Sequence, residues 1–276
     1  MSIDLNKAVS SVGIVLTKRE MTKVPVLAVC AAIDFSPSMR DTFRSGIVQD
    51  TLDRILAIAI KFDDDGELPV FLFSSDSVQC DEDLNISNRK DYLIKHERKN
   101  RQDLWDGTSY EPAMQQVCDI AVEYEINADI VTTKVPDSWL IKLVKHITRP
   151  ILFTIDAIFH TDLITHITLN SNKRVIEHGT SKKIKPTMCF FITDGESFDE
   201  RDTLALVERT KNAGIFWVMV GVGSQKFQFL ERLANFNHVS YIKLASLNIS
   251  DNELYEQIIS EKAVKWLNTN VSGDAK

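Results

Sequence analysis

The sequence predicts an α/β fold in which a central, mostly parallel sheet has one antiparallel edge strand and helices on both faces. Three observations carry that expectation. Strand-like apolar runs recur along the 276 residues, each followed by apolar residues at helical spacing. One pair of runs is joined by a turn so short that its strands must be antiparallel neighbours. A segment of roughly sixty residues between Tyr124 and Pro186 breaks the alternation, being too long and too apolar for a loop, and reads as an insertion with structure of its own.

The first strand spans about Val24 to Ile33, and the helix after it repeats Val48, Leu52, Ile55, Leu56 and Ala59 on one face. "ELPVFLFSSDSVQC" gives two strands turning near Asp76, the antiparallel edge of the sheet, and "RKDYLIKHERK" a short charged helix. Helical spacing returns at Met114, Val117, Cys118 and Ala121. Beyond the insertion come a strand from Thr187 to Thr193, a helix from Arg201 to Asn212 and a strand from Ile215 to Gly223. A short helix from Phe227 to Asn235, the strand "VSYIKLA" and a final helix from Asp251 to about Leu267 complete the pattern. Residues 1–23 are expected as an N-terminal extension packing on the domain, 24–268 as the domain interrupted at about 126–185, and 269–276 as a frayed tail. Within the insertion, Trp139, Leu140, Leu143, Val144 and Ile147 form a helical face that Pro150 ends. Leu163 to His178 reads as a hairpin around Asn170 to Asn172.

Composition excludes several functions. The hydrophobic fraction of 44% and the charged fraction of 26% are ordinary for a globular chain. Lys plus Arg total 32 against 39 for Asp plus Glu, a net charge of -7, and no basic run interleaved with aromatics offers a grip on nucleic acid. "MSIDLNKAVSSVG" lacks the charged start and apolar core of a secretory signal, and no apolar run approaches the ~20 residues of a membrane span, so a cytoplasmic location is expected. Cys30, Cys80, Cys118 and Cys189 are scattered singly and are expected as buried free thiols.

The first strand ends in "DFSPS", placing Asp34, Ser36 and Ser38 at the carboxyl edge where open α/β sheets hold their ligands. Two further loops should end on that edge: "WDGTSYEP", which supplies Thr108, and "TDGES", which supplies Asp194. Two carboxylates and three hydroxyls make an all-oxygen set for a hard divalent cation, Mg²⁺ first, with Mn²⁺ and Ca²⁺ as alternatives. Hydroxyls leave the metal electrophilic where further acids would neutralise it. Ser36, Ser38 and Thr108 would bind directly, with Asp34 and Asp194 acting through waters or hydroxyl hydrogen bonds. An open position on such a metal would accept a carboxylate from another molecule.

In order and spacing, "DFSPS", "DGTSYEP" and "ITDGES" resemble the metal-ion-dependent adhesion site of the von Willebrand factor A (vWA) fold, a Rossmann-like architecture. "KFDDDGELPVFLFSSD", "GTSYEPAM", "VGVGSQKFQFLERLANF" and "SDNELYEQI" are similar to the TerF/TerY-like subgroup of bacterial tellurium-resistance (Ter) proteins. The likeness covers about residues 1–125 and 186–268. The resemblance implies a non-enzymatic, metal-dependent protein-binding module whose Mg²⁺ is completed by a Glu or Asp of a partner. Other Ter proteins are among the partners it implies, with a role in tellurium or chemical stress resistance or in phage defence. The sequence departs from the family pattern at Asp106, where a glycine is common, and at Pro37, which stiffens the turn. The insertion is expected to form a second contact surface opposite the metal edge, for another partner or for self-association.

Other motifs carry less. "DDDG" at Asp63 to Gly66 lacks the alternating ligands of a calcium loop and reads as a solvated turn ending a helix, and "GVGS" at Gly221 to Ser224 reads as a strand-to-helix turn. His146, His160, His166 and His178 cluster in the insertion near Asp156 and Asp162, at spacings that match no zinc pattern. Phe227, Phe229, Leu230 and Leu233 read as core contacts. Glu196, Asp199 and Glu200 are expected to favour the positive end of the next helix, with a ligand role for Glu196 as an alternative. A rival of another class is a Mg²⁺-dependent phosphate-ester hydrolase with Asp34 as nucleophile, although Ser36 stands where a second aspartate would be wanted and no lysine is placed for the phosphoryl group. A scaffold with an empty site is the third reading.

Overall fold

The computed structural model describes residues 3–21, 23–63, 65–99, 106–121, 186–195, 197–245 and 249–271. The expected insertion with its helix, hairpin and histidines lies outside the described residues, as do Glu196 and residues 272–276. The elements are α1 (Leu5–Lys18), β1 (Ala28–Asp34), a 3₁₀ turn (Pro37–Met39), α2 (Arg40–Arg44), α3 (Ile47–Phe62), β2 (Val70–Phe73) and β3 (Ser77–Gln79). They continue with α4 (Tyr92–Lys99), α5 (Glu111–Ala121), β4 (Thr187–Thr193), α6 (Glu200–Arg209), β5 (Ile215–Val222), α7 (Gln228–Leu233), β6 (Val239–Leu244), α8 (Asp251–Ile258) and α9 (Glu261–Asn270).

Six strands form one sheet in the order β3-β2-β1-β4-β5-β6, parallel throughout except for the antiparallel β2–β3 pair, which puts β3 at the edge as expected. Two-sided burial explains the continuous apolar runs of β1, β2, β4 and β5, while the edge strands β3 and β6 keep polar and exposed positions. Alternate residues serve opposite faces. Val29, Ala31 and Ile33 join Met188, Phe190 and Ile192 in a core shared with α1, α3, α8 and α9. Cys30 and Ala32 join Cys189, Phe191, Trp217 and Met219 in a second core under α5, α6 and α7. The four cysteines are free and buried.

The order of strands fixes where a ligand can sit. From β1 the chain steps outward to β2 and β3, then returns to the other side of β1 as β4, so β1 and β4 flank the point where the winding reverses. That is where the carboxyl ends of an open α/β sheet leave a crevice. Asp34 ends β1, Thr193 ends β4, and Ile33 pairs with Ile192 just before them.

Three features depart from the sequence-based expectation. The N-terminal extension contains a helix: Asp4 caps it, accepting from the Lys7 N–H at 3.2 Å, and Leu5, Ala8, Val12, Val15 and Leu16 are buried in the first core. The single final helix is two, because the Ser260 hydroxyl accepts from the Ala263 N–H at 3.4 Å and starts a new helix after Ile259. Asp63 is not solvated: it is buried, and its carboxylate accepts from the Val29 N–H at 3.2 Å, tying the end of α3 to the start of β1, while Asp65 stays exposed in the turn.

Candidate metal centre

Asp34 leaves β1 fully buried, and both its carboxylate oxygens are engaged. Oδ1 accepts from the Ser36 N–H at 2.7 Å and Oδ2 from the Thr193 hydroxyl at 2.6 Å. The first of these bonds folds the chain sharply after the strand. Pro37, fixed in φ, then opens the 3₁₀ turn. Ser36 and Ser38 are thereby turned to the same side, their hydroxyl oxygens 2.9 Å apart. Ser38 donates in turn to Asp194 Oδ1 at 2.9 Å, joining the β1 and β4 loops. Ser36 is buried and Ser38 exposed, so the row of oxygens runs from the interior to the surface.

Thr108 reaches the same edge through its backbone. Its carbonyl accepts from the Phe198 N–H at 2.9 Å, which stitches its loop to the loop after β4, and the Ser109 N–H donates to the Ser74 carbonyl at 2.8 Å after β2. Gly107 donates to Ser75 Oγ at 2.8 Å, and a Cβ at that position would fall 2.7 Å from the same oxygen. Asp106, the departure from the family pattern, is exposed beside this loop. The structure thus links Ser36, Ser38 and Asp194 in one hydrogen-bonded row, locks Asp34 behind them, and anchors the Thr108 loop to the Asp194 loop.

Three residues that support the site, Thr193, Tyr110 and Gln225, were not singled out from the sequence, and a fourth, Asp199, was read only for the helix that follows it. Thr193 carries the bond to Asp34 and accepts from the Gly195 N–H at 3.2 Å. The buried Tyr110 hydroxyl lies 2.7 Å from the Gly195 carbonyl and 3.1 Å from Thr193 Oγ1. Asp199 stands, as expected, at the N-terminus of the helix that follows it, but its carboxylate accepts from the Tyr110 N–H at 2.9 Å and the Glu111 N–H at 2.8 Å and so also serves the start of α5. Gln225 donates from its side-chain amide to the Asp194 carbonyl. A polar residue closing the apolar run "CFFIT" was the available signal for Thr193; the other three depend on contacts between loops distant in sequence.

The electrostatics suit a cation. Burial pushes the Asp34 carboxyl up to about 6, the hydrogen bonds from Thr193 and Ser36 pull the other way, and the Asp194 charge adds to the rise. Asp194 is itself raised by burial, with the Ser38 hydroxyl opposing. A divalent ion among these oxygens would stabilise both carboxylates in their charged forms. The donor set is oxygen alone, the chemistry of Mg²⁺ and Ca²⁺. Among the described residues no cluster of three or more His, Cys, Asp and Glu side chains forms a metal site of the other kind.

The fold is that of a vWA domain, and the chain belongs to the vWA-TerF-like family, described as the vWA found in the TerF C terminus, matching it over residues 26–133 and 159–273. It is 26% identical over 273 residues to the uncharacterized protein YcbR of Bacillus subtilis (strain 168), a match covering 94% of this chain and 84% of that protein. Among solved structures, it is similar to the SpRpn10 VWA domain, with 10% identity, a TM-score of 0.50, and 86% of this chain and 96% of that one covered, a likeness of fold. It also matches proximal thread matrix protein 1 from the mussel byssus at 15% identity and a TM-score of 0.45, covering 87% of this chain and about half, 49%, of that one.

Proposed function

We propose that this protein is a metal-dependent protein-binding module whose divalent cation, Mg²⁺ in the first place, is held by Ser36, Ser38 and Thr108, with Asp34 and Asp194 acting from behind them. The observation that carries the reading is the row Ser36–Ser38–Asp194, with oxygens 2.9 Å apart at each step, at the crevice between β1 and β4. The cation would supply an electrophilic position for a Glu or Asp side chain of a partner. The chain's own residues do the rest: Thr193 and the Ser36 N–H fix Asp34, the Asp34–Ser36 bond turns the two serines to the same side, and Gln225 and Tyr110 hold the loop that carries Asp194.

The hydrolase reading is disfavoured because Asp34 is wholly buried and its carboxylate is held by the Ser36 N–H and the Thr193 hydroxyl, away from any phosphorus arriving from solvent. Among the described residues no helix is long and apolar enough to cross a membrane. We place the module in the cytoplasm, in tellurium or chemical stress resistance or phage defence, with other Ter proteins as candidate partners. Residues 126–185 would serve as a second contact surface.

Calorimetric titration of Mg²⁺ and Mn²⁺ into wild type, Ser38→Ala and Asp194→Ala tests the centre, paired with capture from host lysate in Mg²⁺ and in EDTA. Binding heat and metal-dependent capture are expected for wild type and should be lost in both variants. Wild-type protein that takes up neither metal would refute the reading.

A further inference from the structure

Phe198 is 85% exposed, more than any other large apolar side chain among the described residues, and it stands in the loop directly after the candidate metal ligands. It is not a loose side chain on a loose loop. Its N–H donates to the Thr108 carbonyl at 2.9 Å, and its ring lies over Gly107, where an added Cβ would sit 3.3 Å and 3.4 Å from two ring carbons. Its neighbours point inward: Ser197 is buried and bonds the Asp199 carboxylate, which in turn takes the Tyr110 and Glu111 N–H groups and the Thr203 hydroxyl at 3.2 Å. Among the described residues of this loop Phe198 alone is exposed, and the loop is pinned on both sides of it.

An aromatic ring has only two side-chain torsions to lose, and one carried on a pinned loop at the rim of a polar site is suited to anchor an interface. Resting on the metal reading above, we infer that the partner presents an extended segment in which the acid that completes the metal is accompanied by an apolar side chain, and that Phe198 receives that side chain. Residues two apart in an extended segment face the same way, so an acid and an apolar residue in that relation are presented together on one side of the segment. The carboxylate gives metal dependence; the ring selects among acids.

The test uses immobilised heptapeptides of sequence GLGEGLG, GSGEGSG and GLGQGLG, with the full-length protein in Mg²⁺ or EDTA. Wild type should be retained by GLGEGLG at least tenfold more strongly than by GSGEGSG, and GLGQGLG should retain nothing. Phe198→Ser should bind Mg²⁺ with unchanged affinity by calorimetry and hold the two glutamate peptides equally. Equal retention of those peptides by wild type, a preference that survives in Phe198→Ser, or no peptide retained by Mg²⁺-loaded wild type would each overturn the inference while leaving the metal centre standing. Failure of wild type to bind Mg²⁺ would remove both.

Discussion

Asp199 holds Tyr110 from across the site: the carboxylate at the start of α6 accepts the Tyr110 N–H at 2.9 Å, and with Glu111 at 2.8 Å it caps the start of α5. A carboxylate at a helix N-terminus satisfies donors that the helix cannot and meets the positive end of its dipole. Here it also joins two of the three site loops. Asp199→Ala should destabilise the protein by about 1–3 kcal/mol, the range for losing a charged cap with two hydrogen bonds, and should weaken Mg²⁺ binding several-fold. Urea denaturation and calorimetry read the two effects. Unchanged stability would show that the cap adds nothing to the fold.

Asp34 makes the stability of the metal-free protein depend on pH. Its carboxyl is raised from 3.8 to about 6 by burial, so the folded state holds the proton more tightly than the unfolded chain does. For this group, stability is therefore full below about pH 4 and is lost as pH rises through 6, a total of about 3 kcal/mol at 1.36 kcal/mol per unit. In EDTA, wild type should lose most of that relative to Asp34→Asn between pH 4 and 7.5. The amide keeps an acceptor for the Ser36 N–H and carries no charge. Saturating Mg²⁺ should restore wild type and leave Asp34→Asn unmoved. Parallel denaturation profiles of the two proteins in EDTA would contradict this account of the buried charge.

Tyr110→Phe separates positioning from ligation. The ring packs against Phe191 and Phe229, with centroids 4.8 and 5.7 Å away, and phenylalanine keeps those contacts. Only the hydroxyl is lost, and with it the hold on Gly195 and Thr193. A cost of about 1–2 kcal/mol in stability is expected, since buried acceptors lose their donor. Mg²⁺ affinity should fall although Tyr110 is placed at no ligand position. A variant with native metal affinity would show that the β4 loop holds its shape without this bond.

The central strands were readable because they are covered on both faces and so appear as continuous apolar runs, and the edge hairpin because the three residues Ser74 to Asp76 between β2 and β3 leave no room for a crossover. Asp34, Ser36, Ser38 and Asp194 were readable as polar residues ending such runs. The helix over Leu5–Lys18 does carry local signals, a capping aspartate and apolar residues at Leu5, Ala8, Val12 and Val15; what has no local signature is the packing of that face into the first core, which makes it part of the domain. Ser260 was missed as a break because apolar spacing continues across it from Leu254 to Leu267, and only its cap bond with Ala263 separates the helices. Asp199 was assigned to its own helix because local sequence favours that; packing of α5 beside the loop gave it stronger donors. Tertiary contact decides such choices, and it has no local signature.

Gly223 and Gln225 should act as one unit. Gly223 has φ of +135°, a region open almost only to glycine, and a Cβ there would lie 2.4 Å from Gln225 Oε1. The side chain of Gln225 folds back over the glycine and delivers its amide to the Asp194 carbonyl, while Lys243 steadies the turn by donating to the Ser224 carbonyl at 2.7 Å. Gln225→Ala should leave stability within about 1 kcal/mol, as for an exposed neutral hydrogen bond, but lower Mg²⁺ affinity by loosening the Asp194 loop. Gly223→Ala should cost about 1–3 kcal/mol in backbone strain and lower the affinity to a similar degree, because the new methyl group evicts the glutamine. In the double variant the collision is gone and only the backbone strain remains, so the two losses of affinity should not add, a coupling that a double-mutant cycle measures directly. Additive losses would mean that the turn and the amide reach the metal loop by separate routes.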